Sequence, residues 1–156
     1  MSLEQFAIIE STLREGEQFA GANFTPAQKI QIAEKLDEFG AELIELSSPV
    51  SSPQNEADVR AIVGLGLNAR ILTHIRCNKD DAVRALDTGV HGLDIVIGTS
   101  PALRKHSHGK TIDEIIDLAR EVLSFVRAQA PDIILRFSTE DSFRSSEADL
   151  FRVYLG

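Results

Sequence analysis

The stretch that decides the fold is Ile8-Ile9-Glu10-Ser11-Thr12-Leu13-Arg14-Glu15-Gly16-Glu17-Gln18-Phe19. We predict that a short apolar strand, residues 6–9, gives way here to a run of Thr, Arg, Glu, Gly and Gln. Polar side chains directly after a strand are typical of a site built at the carboxyl ends of parallel strands. Arg14 would then hold an anionic substrate and Glu15 a metal ion. A solvated loop with a chance ion pair is the alternative interpretation.

The same change from apolar to polar recurs along the chain. Further short apolar strands are predicted at residues 42–46, 69–73, 93–97 and 133–137. Helices are predicted at residues 26–39, 55–65, 79–87 and 112–128, with a last one starting at Ser145 or Ser146. Strict alternation of strands and helices predicts a parallel sheet with helical crossovers.

Polar residues cluster at the predicted strand ends. They are Arg14 and Glu15 after the first strand, Ser47 and Ser48 after the second, His74 at the end of the third, Thr99 and Ser100 after the fourth, and Ser138, Glu140 and Asp141 after the fifth. The carboxyl ends of parallel strands share one rim, where the active sites of (β/α) barrels are built. The sequence therefore predicts a site composed from several strand ends.

The length of the chain limits the architecture. Its 156 residues fit a single domain over residues 1–156, whereas a complete eight-stranded barrel needs about 250 residues. A doubly wound sheet is the alternative, but its G-x-G-x-x-G fingerprint does not follow the first strand. We predict an α/β fold, a parallel (β/α) TIM-type barrel truncated to about five βα units. Its outer strands would be open edges that invite pairing with another chain.

Charge and composition narrow the function classes. The net charge of −8 argues against non-specific nucleic-acid binding, and the lack of an 18-residue apolar run argues against a membrane span. The start of the chain lacks the pattern of a secretory signal, and no arginine precedes Arg14. Cys77 is the sole cysteine, which excludes an intrachain disulfide; we expect an inert buried thiol and a cytoplasmic protein.

Four blocks of the sequence carry a resemblance to a known family. They are residues 11–19, 73–77, 96–100 and 136–145. In this order they resemble the N-terminal part of homocitrate synthases, which belong to the metal-dependent acyl-CoA condensing family with 2-isopropylmalate and citramalate synthases. The Arg14-Glu15 pair favours the homocitrate branch, because the isopropylmalate branch usually has Arg-Asp there.

The resemblance implies a function. The family's reaction condenses acetyl-CoA with 2-oxoglutarate and then hydrolyses the thioester, which releases homocitrate and CoA in lysine biosynthesis by the α-aminoadipate route. It implies a divalent metal, Mg²⁺ or Mn²⁺ with Zn²⁺ as an alternative, that polarises the keto carbonyl. It also implies a homo-oligomer and inhibition by lysine.

The resemblance also assigns roles by position. These are Glu15 as metal ligand, Arg14, His74, Arg136 and Ser138 as binding residues for 2-oxoglutarate, Glu140 as a catalytic residue that assists proton transfer, and Asp94 as the partner of the lysine ammonium. Simpler interpretations remain for some of them. His74 would be a satisfied strand-end histidine, and Asp94 would bond a neighbouring strand. Arg136, inside an apolar strand, needs a partner, either a ligand carboxylate or Glu15.

Departures from the family pattern weaken the enzyme hypothesis. Glu10 stands where the family usually has Asp, and the later His-x-His metal pair and the general base are missing. His106 and His108 have the same spacing but are interpreted as an exposed loop. One carboxylate plus waters would hold a metal weakly, so we expect this chain alone to be a poor enzyme or none. The alternative function is a catalytically incomplete half-barrel that binds dicarboxylates or self-associates.

Overall fold

Five parallel strands form one sheet in the computed structural model, which describes residues 7–156. They are β1 (Ile9–Glu10), β2 (Leu43–Leu46), β3 (Arg70–Arg76), β4 (Gly92–Gly98) and β5 (Ile134–Glu140). Their spatial order, β1-β2-β3-β4-β5, follows the sequence. A barrel adds its strands in this way, whereas a doubly wound sheet reverses direction at a switch point. The predicted parallel half-barrel of five strands is confirmed.

Six helices connect or follow the strands. They are α1 (Pro26–Phe39), α2 (Pro53–Val63), α3 (Lys79–Asp87), the short α4 (Pro101–Leu103), α5 (Ile112–Gln129) and α6 (Glu147–Leu155). Single turns of 3₁₀ helix lie at Gly16–Gln18 and Ser142–Arg144, and a π-helical turn spans Arg104–His108. No helix among residues 7–156 is long and apolar enough to cross a membrane.

Local sequence signals set the helix ends. Thr25 and Gln28 form a capping box at the start of α1, and Gly40 ends the helix in the left-handed region at φ +92°. Both bounds are as predicted, as are those of α3. α2 begins two residues before the predicted start, because Ser52 accepts a hydrogen bond from the Asn55 backbone N–H and caps the helix.

Side chains alternate between two different environments along each strand. Ile71 and Ile75 of β3 and Leu93 and Ile95 of β4 belong to the buried core, which also includes residues of α5 such as Ile115. The residues between them, on the other face of the sheet, include the polar side chains of the predicted site. The sheet therefore has an apolar face under the helices and a second face that can carry chemistry.

All five strands differ from their predicted bounds, β2 by one residue at its start and β4 by one residue at each end. β1 comprises only Ile9–Glu10, and Phe6 of the predicted strand lies outside the described residues. β3 and β5 continue to Arg76 and Glu140, three residues beyond their predicted ends. They continue because both remain paired with β4 in full register. His74 therefore lies within its strand and not at its end, which corrects the prediction.

Candidate functional site

The register of the sheet aligns three predicted residues. His74 of β3 pairs with Asp94 of β4, and Asp94 pairs with Arg136 of β5. Because successive side chains alternate, Ser138 and Glu140 follow Arg136 on the same face. The three strands thus present one continuous polar row.

One cleft brings together all of the predicted site residues. Its lining includes Arg14, Glu15, His74, Asp94, Arg136, Ser138 and Glu140. The turn after β1 supplies the first two, and the inner faces of β3, β4 and β5 supply the rest. Residues distant in sequence therefore share one site, as the strand-end argument predicted.

Glu45 of β2 lies at the centre of the cleft and was not predicted. Its side chain is buried (2% exposed), and its Oε2 accepts hydrogen bonds from Arg14 Nε at 2.5 Å and from Ser11 Oγ at 2.9 Å. Burial raises the pKa of Glu45, but nearby His74, Arg14 and Ser11 outweigh it and lower the pKa to about 2. A glutamate inside an apolar strand was the available signal, because a buried carboxylate needs partners.

Asp94 and Arg136 are partners across neighbouring strands. Asp94 is 4% exposed; its Oδ1 accepts a hydrogen bond from Ser138 Oγ at 2.8 Å, and its Oδ2 lies 3.3 Å from Arg136 NH1. Of the two partners considered for Arg136, Glu15 is not the one found, because Glu15 Oε2 pairs with Arg14 NH1 at 2.6 Å; a ligand carboxylate stays a prediction. The expected bond from Asp94 to a neighbouring strand is present.

Two atoms in the cleft lack hydrogen-bond partners. Within residues 7–156, Glu45 Oε1 and His74 Nδ1 are buried and unpaired, and they lie 3.8 Å apart. His74 Nδ1 is also 3.8 Å from Asp94 Oδ2. The simpler interpretation of His74 as a satisfied strand-end residue is therefore wrong. A buried polar atom without a partner costs about 1–3 kcal/mol, so a hydrogen-bonding group placed between these atoms would be stabilising.

The residues that could hold a metal fall into two places. Glu45, His74 and Asp94 offer ligand atoms within 4.8 Å of one another. Arg14 and Arg136 already pair with these two carboxylates, and their positive charges would oppose a cation there. The Glu15 side chain is 64% exposed and pairs with Arg14 alone, which leaves room for water and substrate oxygens around a hard cation.

Other residues singled out in the sequence have structural roles. Cys77 is buried as predicted, and burial raises its pKa to about 11. His108 lies in the π-helical turn and not in an exposed loop; its Nε2 donates to the Gly98 carbonyl at 2.8 Å, and its Nδ1 accepts from the Lys110 backbone N–H. Ser100 caps α4 and is fully buried. These residues lie outside the lining of the cleft.

Comparison with known proteins agrees with this architecture. A model of the HMGL-like family matches residues 5–155. The mitochondrial homocitrate synthase of Schizosaccharomyces pombe is 57% identical over 152 residues, which are 97% of this chain and 36% of that protein. The corresponding enzyme of Penicillium rubens is 57% identical over 153 residues, 98% of this chain and 32% of that protein. The chain spans about a third of the length of the curated relatives it matches.

More distant proteins share the same region. The 2-isopropylmalate synthase of Methanocaldococcus jannaschii is 39% identical over 147 residues, covering 94% of this chain and 28% of that protein. The solved structure of an HMG-CoA lyase from Acinetobacter baumannii, in complex with coenzyme A and 3-methylmalate, superposes with a TM-score of 0.72 at 19% identity. The superposition covers 96% of this chain and 52% of the lyase chain, and it supports the barrel-type fold described above.

Proposed function

Because the chain belongs to the HMGL-like family, we propose that it carries the 2-oxoglutarate site of a homocitrate synthase, which condenses acetyl-CoA with this acid. Two guanidiniums, those of Arg14 and Arg136, meet in one cleft of a chain with net charge −8. This single observation supports an anionic substrate most directly. The similarity to homocitrate synthases supports a 2-oxo dicarboxylate and a place in lysine biosynthesis.

The arginines have donors left for a substrate. Arg14 uses Nε on Glu45 and NH1 on Glu15, and Arg136 uses NH1 on Asp94. A guanidinium has five N–H donors, so each side chain can still bind a carboxylate while its present ion pairs are kept. In our proposal these two arginines orient the carboxylates of 2-oxoglutarate, while His74 and Ser138 contact its polar atoms from the sheet.

A divalent cation would complete the charge balance of the cleft. The family depends on such a cation, and we assign Glu15 as its protein ligand in this chain, with Mg²⁺ or Mn²⁺ as the first candidates and Zn²⁺ as the alternative. When bound, the cation would polarise the keto carbonyl as a Lewis acid. Glu15 fits this role better than Glu45 and Asp94, because its side chain is exposed and those two are buried, although all three pair with an arginine.

The remaining roles follow from position in the cleft. Glu140, at the end of β5, lines the cleft and would assist proton transfer at the reacting carbons. Asp94, close to the unpaired acceptor Glu45 Oε1, would bind the ammonium group of the inhibitor lysine. Glu140 and Asp94 lie on the same side of the sheet, so substrate and inhibitor would compete for overlapping space.

Two further parts of the proposal concern assembly and compartment. We propose a homo-oligomer, as the resemblance to the homocitrate synthase family implies. Relatives include a cytosolic isozyme and mitochondrial enzymes, and we propose the cytoplasm. Light scattering after size exclusion tests the assembly, and a fluorescent fusion tests the compartment.

The test is the release of CoA thiol from acetyl-CoA. Reactions with 2-oxoglutarate, pyruvate or 2-oxoisovalerate run in parallel, each with Mg²⁺, Mn²⁺ or EDTA, and a blank without substrate corrects for Cys77. Metal-dependent release with 2-oxoglutarate alone supports the enzyme. Binding of 2-oxoglutarate without release would assign a dicarboxylate-binding module, and the absence of both would refute the proposal.

A further inference from the structure

A buried ion cluster lies behind the turn that carries Arg14 and Glu15. We define the Lys29 cluster as Lys29 of α1, Asp58 of α2 and Glu17 of the turn. Lys29 is 7% exposed, and its Nζ lies 2.6 Å from Glu17 Oε1 and 2.8 Å from Asp58 Oδ2. None of the three lines the cleft, so the proposed binding of substrate does not use them directly.

The turn is attached to the sheet by few contacts. β1 contributes only two residues to the ladder, and the backbone N–H groups of residues 14–16 all bond to the Ser11 carbonyl, which is within the turn itself. Outward contacts come from buried Leu13, whose carbonyl accepts from the Ser47 N–H at 3.3 Å. The side chains of Ser11 and Arg14 also reach out of the turn and donate to Glu45 Oε2 of β2. The ion pair of Glu17 with Lys29 ties the later part of the turn to α1, and Glu17 Oε2 also accepts a hydrogen bond from Ser47 Oγ at 3.4 Å.

The charges of the Lys29 cluster indicate different roles for Asp58 and Glu17. A buried ammonium needs one carboxylate to offset its charge, and Lys29 has two. Asp58 is the more buried partner, with a side chain 7% exposed against 20% for Glu17, and it also accepts a hydrogen bond from Gln54 at 2.7 Å. Asp58 therefore suffices to compensate Lys29. Glu17 is left over as a tether that fixes the turn.

We propose that Lys29 acts through Glu17 as a positioning residue for Arg14 and Glu15. Glu17 is three residues after Arg14, and a turn fixed at Glu17 keeps the Arg14 Nε at its 2.5 Å distance from Glu45. A released turn would let both side chains sample positions in which they cannot share a ligand. The inference deepens the proposed function, since the ligand it names is the 2-oxo dicarboxylate.

Two matched variants separate positioning from stability. Glu17→Gln and Asp58→Asn each neutralise one carboxylate partner of Lys29 and leave the other in place. Asp58→Asn should lower the melting temperature more, because Asp58 is the more buried. Glu17→Gln should weaken 2-oxoglutarate binding about tenfold in Mg²⁺ buffer, measured by calorimetry well below both melting temperatures, while Asp58→Asn binds as the parent does. We therefore expect Asp58→Asn to have the lower melting temperature and Glu17→Gln to have the lower affinity for 2-oxoglutarate.

A second readout works without ligand. Nitrogen-15 NMR follows hydrogen exchange at the Arg14 Nε–H, which bonds to Glu45. Glu17→Gln should accelerate this exchange at least tenfold, and Asp58→Asn should not. If Asp58→Asn does not fold, Ile62→Val on the same helix replaces it as the destabilised control.

The outcomes distinguish the two proposals. Unchanged Arg14 exchange in Glu17→Gln, or affinities that simply follow the melting temperatures, would overturn the positioning role. If the parent chain does not bind 2-oxoglutarate but exchange at Arg14 Nε–H is still faster in Glu17→Gln than in the parent, the role of Glu17 in fixing the turn would be supported. The assignment of 2-oxoglutarate as substrate would then be refuted.

Discussion

Two ionic clusters of similar composition differ in what they leave unpaired. In the Lys29 cluster, Lys29 contacts both carboxylates, and both oxygens of Asp58 have partners. We define the cleft cluster as Glu45, Asp94, His74, Arg14 and Arg136. In it, Glu45 Oε1 and His74 Nδ1 have no hydrogen-bond partner among the described residues, only charged neighbours at 3.8–4.0 Å. The first cluster is closed and stabilises the fold. The second keeps acceptors and guanidinium donors for a ligand.

The difference follows from where the clusters lie. The Lys29 cluster joins a turn and two helices, so each charge meets another element of the protein. The cleft cluster lines an open cleft, whose walls include β3, β4, β5 and the turn after β1. Similar residue types are therefore enclosed by the protein in one place and border a cleft in the other, where we propose that they bind a ligand.

The largest expected effect is on stability, at the closed cluster. Lys29→Met should reduce the free energy of unfolding by about 3–5 kcal/mol, because it leaves buried carboxylates uncompensated. Lys35→Met, on the same helix, removes an exposed pair with Glu38 and should have no measurable effect. Urea denaturation compares the two. Equal losses would contradict the contrast between the clusters.

A smaller effect, on binding, is expected at the open cluster. Arg136→Gln should weaken 2-oxoglutarate binding by about tenfold to a hundredfold, which corresponds to the 1.5–3 kcal/mol of a hydrogen bond to a charged group. Arg84→Gln breaks a surface pair with Glu56 and serves as the control. Isothermal titration calorimetry measures both, and unaltered affinity in Arg136→Gln would exclude Arg136 from the binding site.

Acid should affect stability through Glu45. Its pKa in the folded protein, about 2, lies below its ordinary value of 4.5, so its stabilising contribution is present above pH 4.5 and is lost as the pH falls towards 2. Glu45→Gln should show a shallower loss of unfolding free energy over this range. Urea titrations at several pH values test this, and parallel curves for the two proteins would rule Glu45 out as the source.

The smallest effect is expected for Ser138→Ala. This variant removes the hydrogen bond from Ser138 Oγ to Asp94 Oδ1, and Asp94 keeps Arg136 as its partner. We expect a loss of about 0.5–1.5 kcal/mol in unfolding free energy. A loss as large as that of Lys29→Met would show that the cleft cluster is a stability element after all.

The sequence was informative about the fold and about which residues meet. Strand-helix alternation predicted the parallel order, and the polar strand ends predicted a shared rim, because both depend on local patterns. Asp94, the protein partner of Arg136, was not among the two partners considered, since pairing depends on strand register, which local patterns do not show. His74 and Ser138 lie inside longer strands than predicted, because one face of the sheet borders an open cleft and tolerates polar residues.

Two functional features were missed for related reasons. Glu45 was treated as part of an apolar strand, although its position between Ile44 and Leu46 places it on the opposite face from them. No role was predicted for Lys29, because a lysine on an amphipathic helix is usually solvated. Its burial depends on the turn and on α2, which are distant in sequence.

The aligned row of His74, Asp94 and Arg136 limits where the protein can tolerate insertions and deletions. An insertion or deletion of one residue early in β4 would turn Asp94 from the cleft to the helix-covered face. The same change would move Ile95 and its apolar neighbours towards the cleft, so recognition and core packing would fail together. Length variation in evolution should therefore be confined to the loops, while the strands change only by substitution.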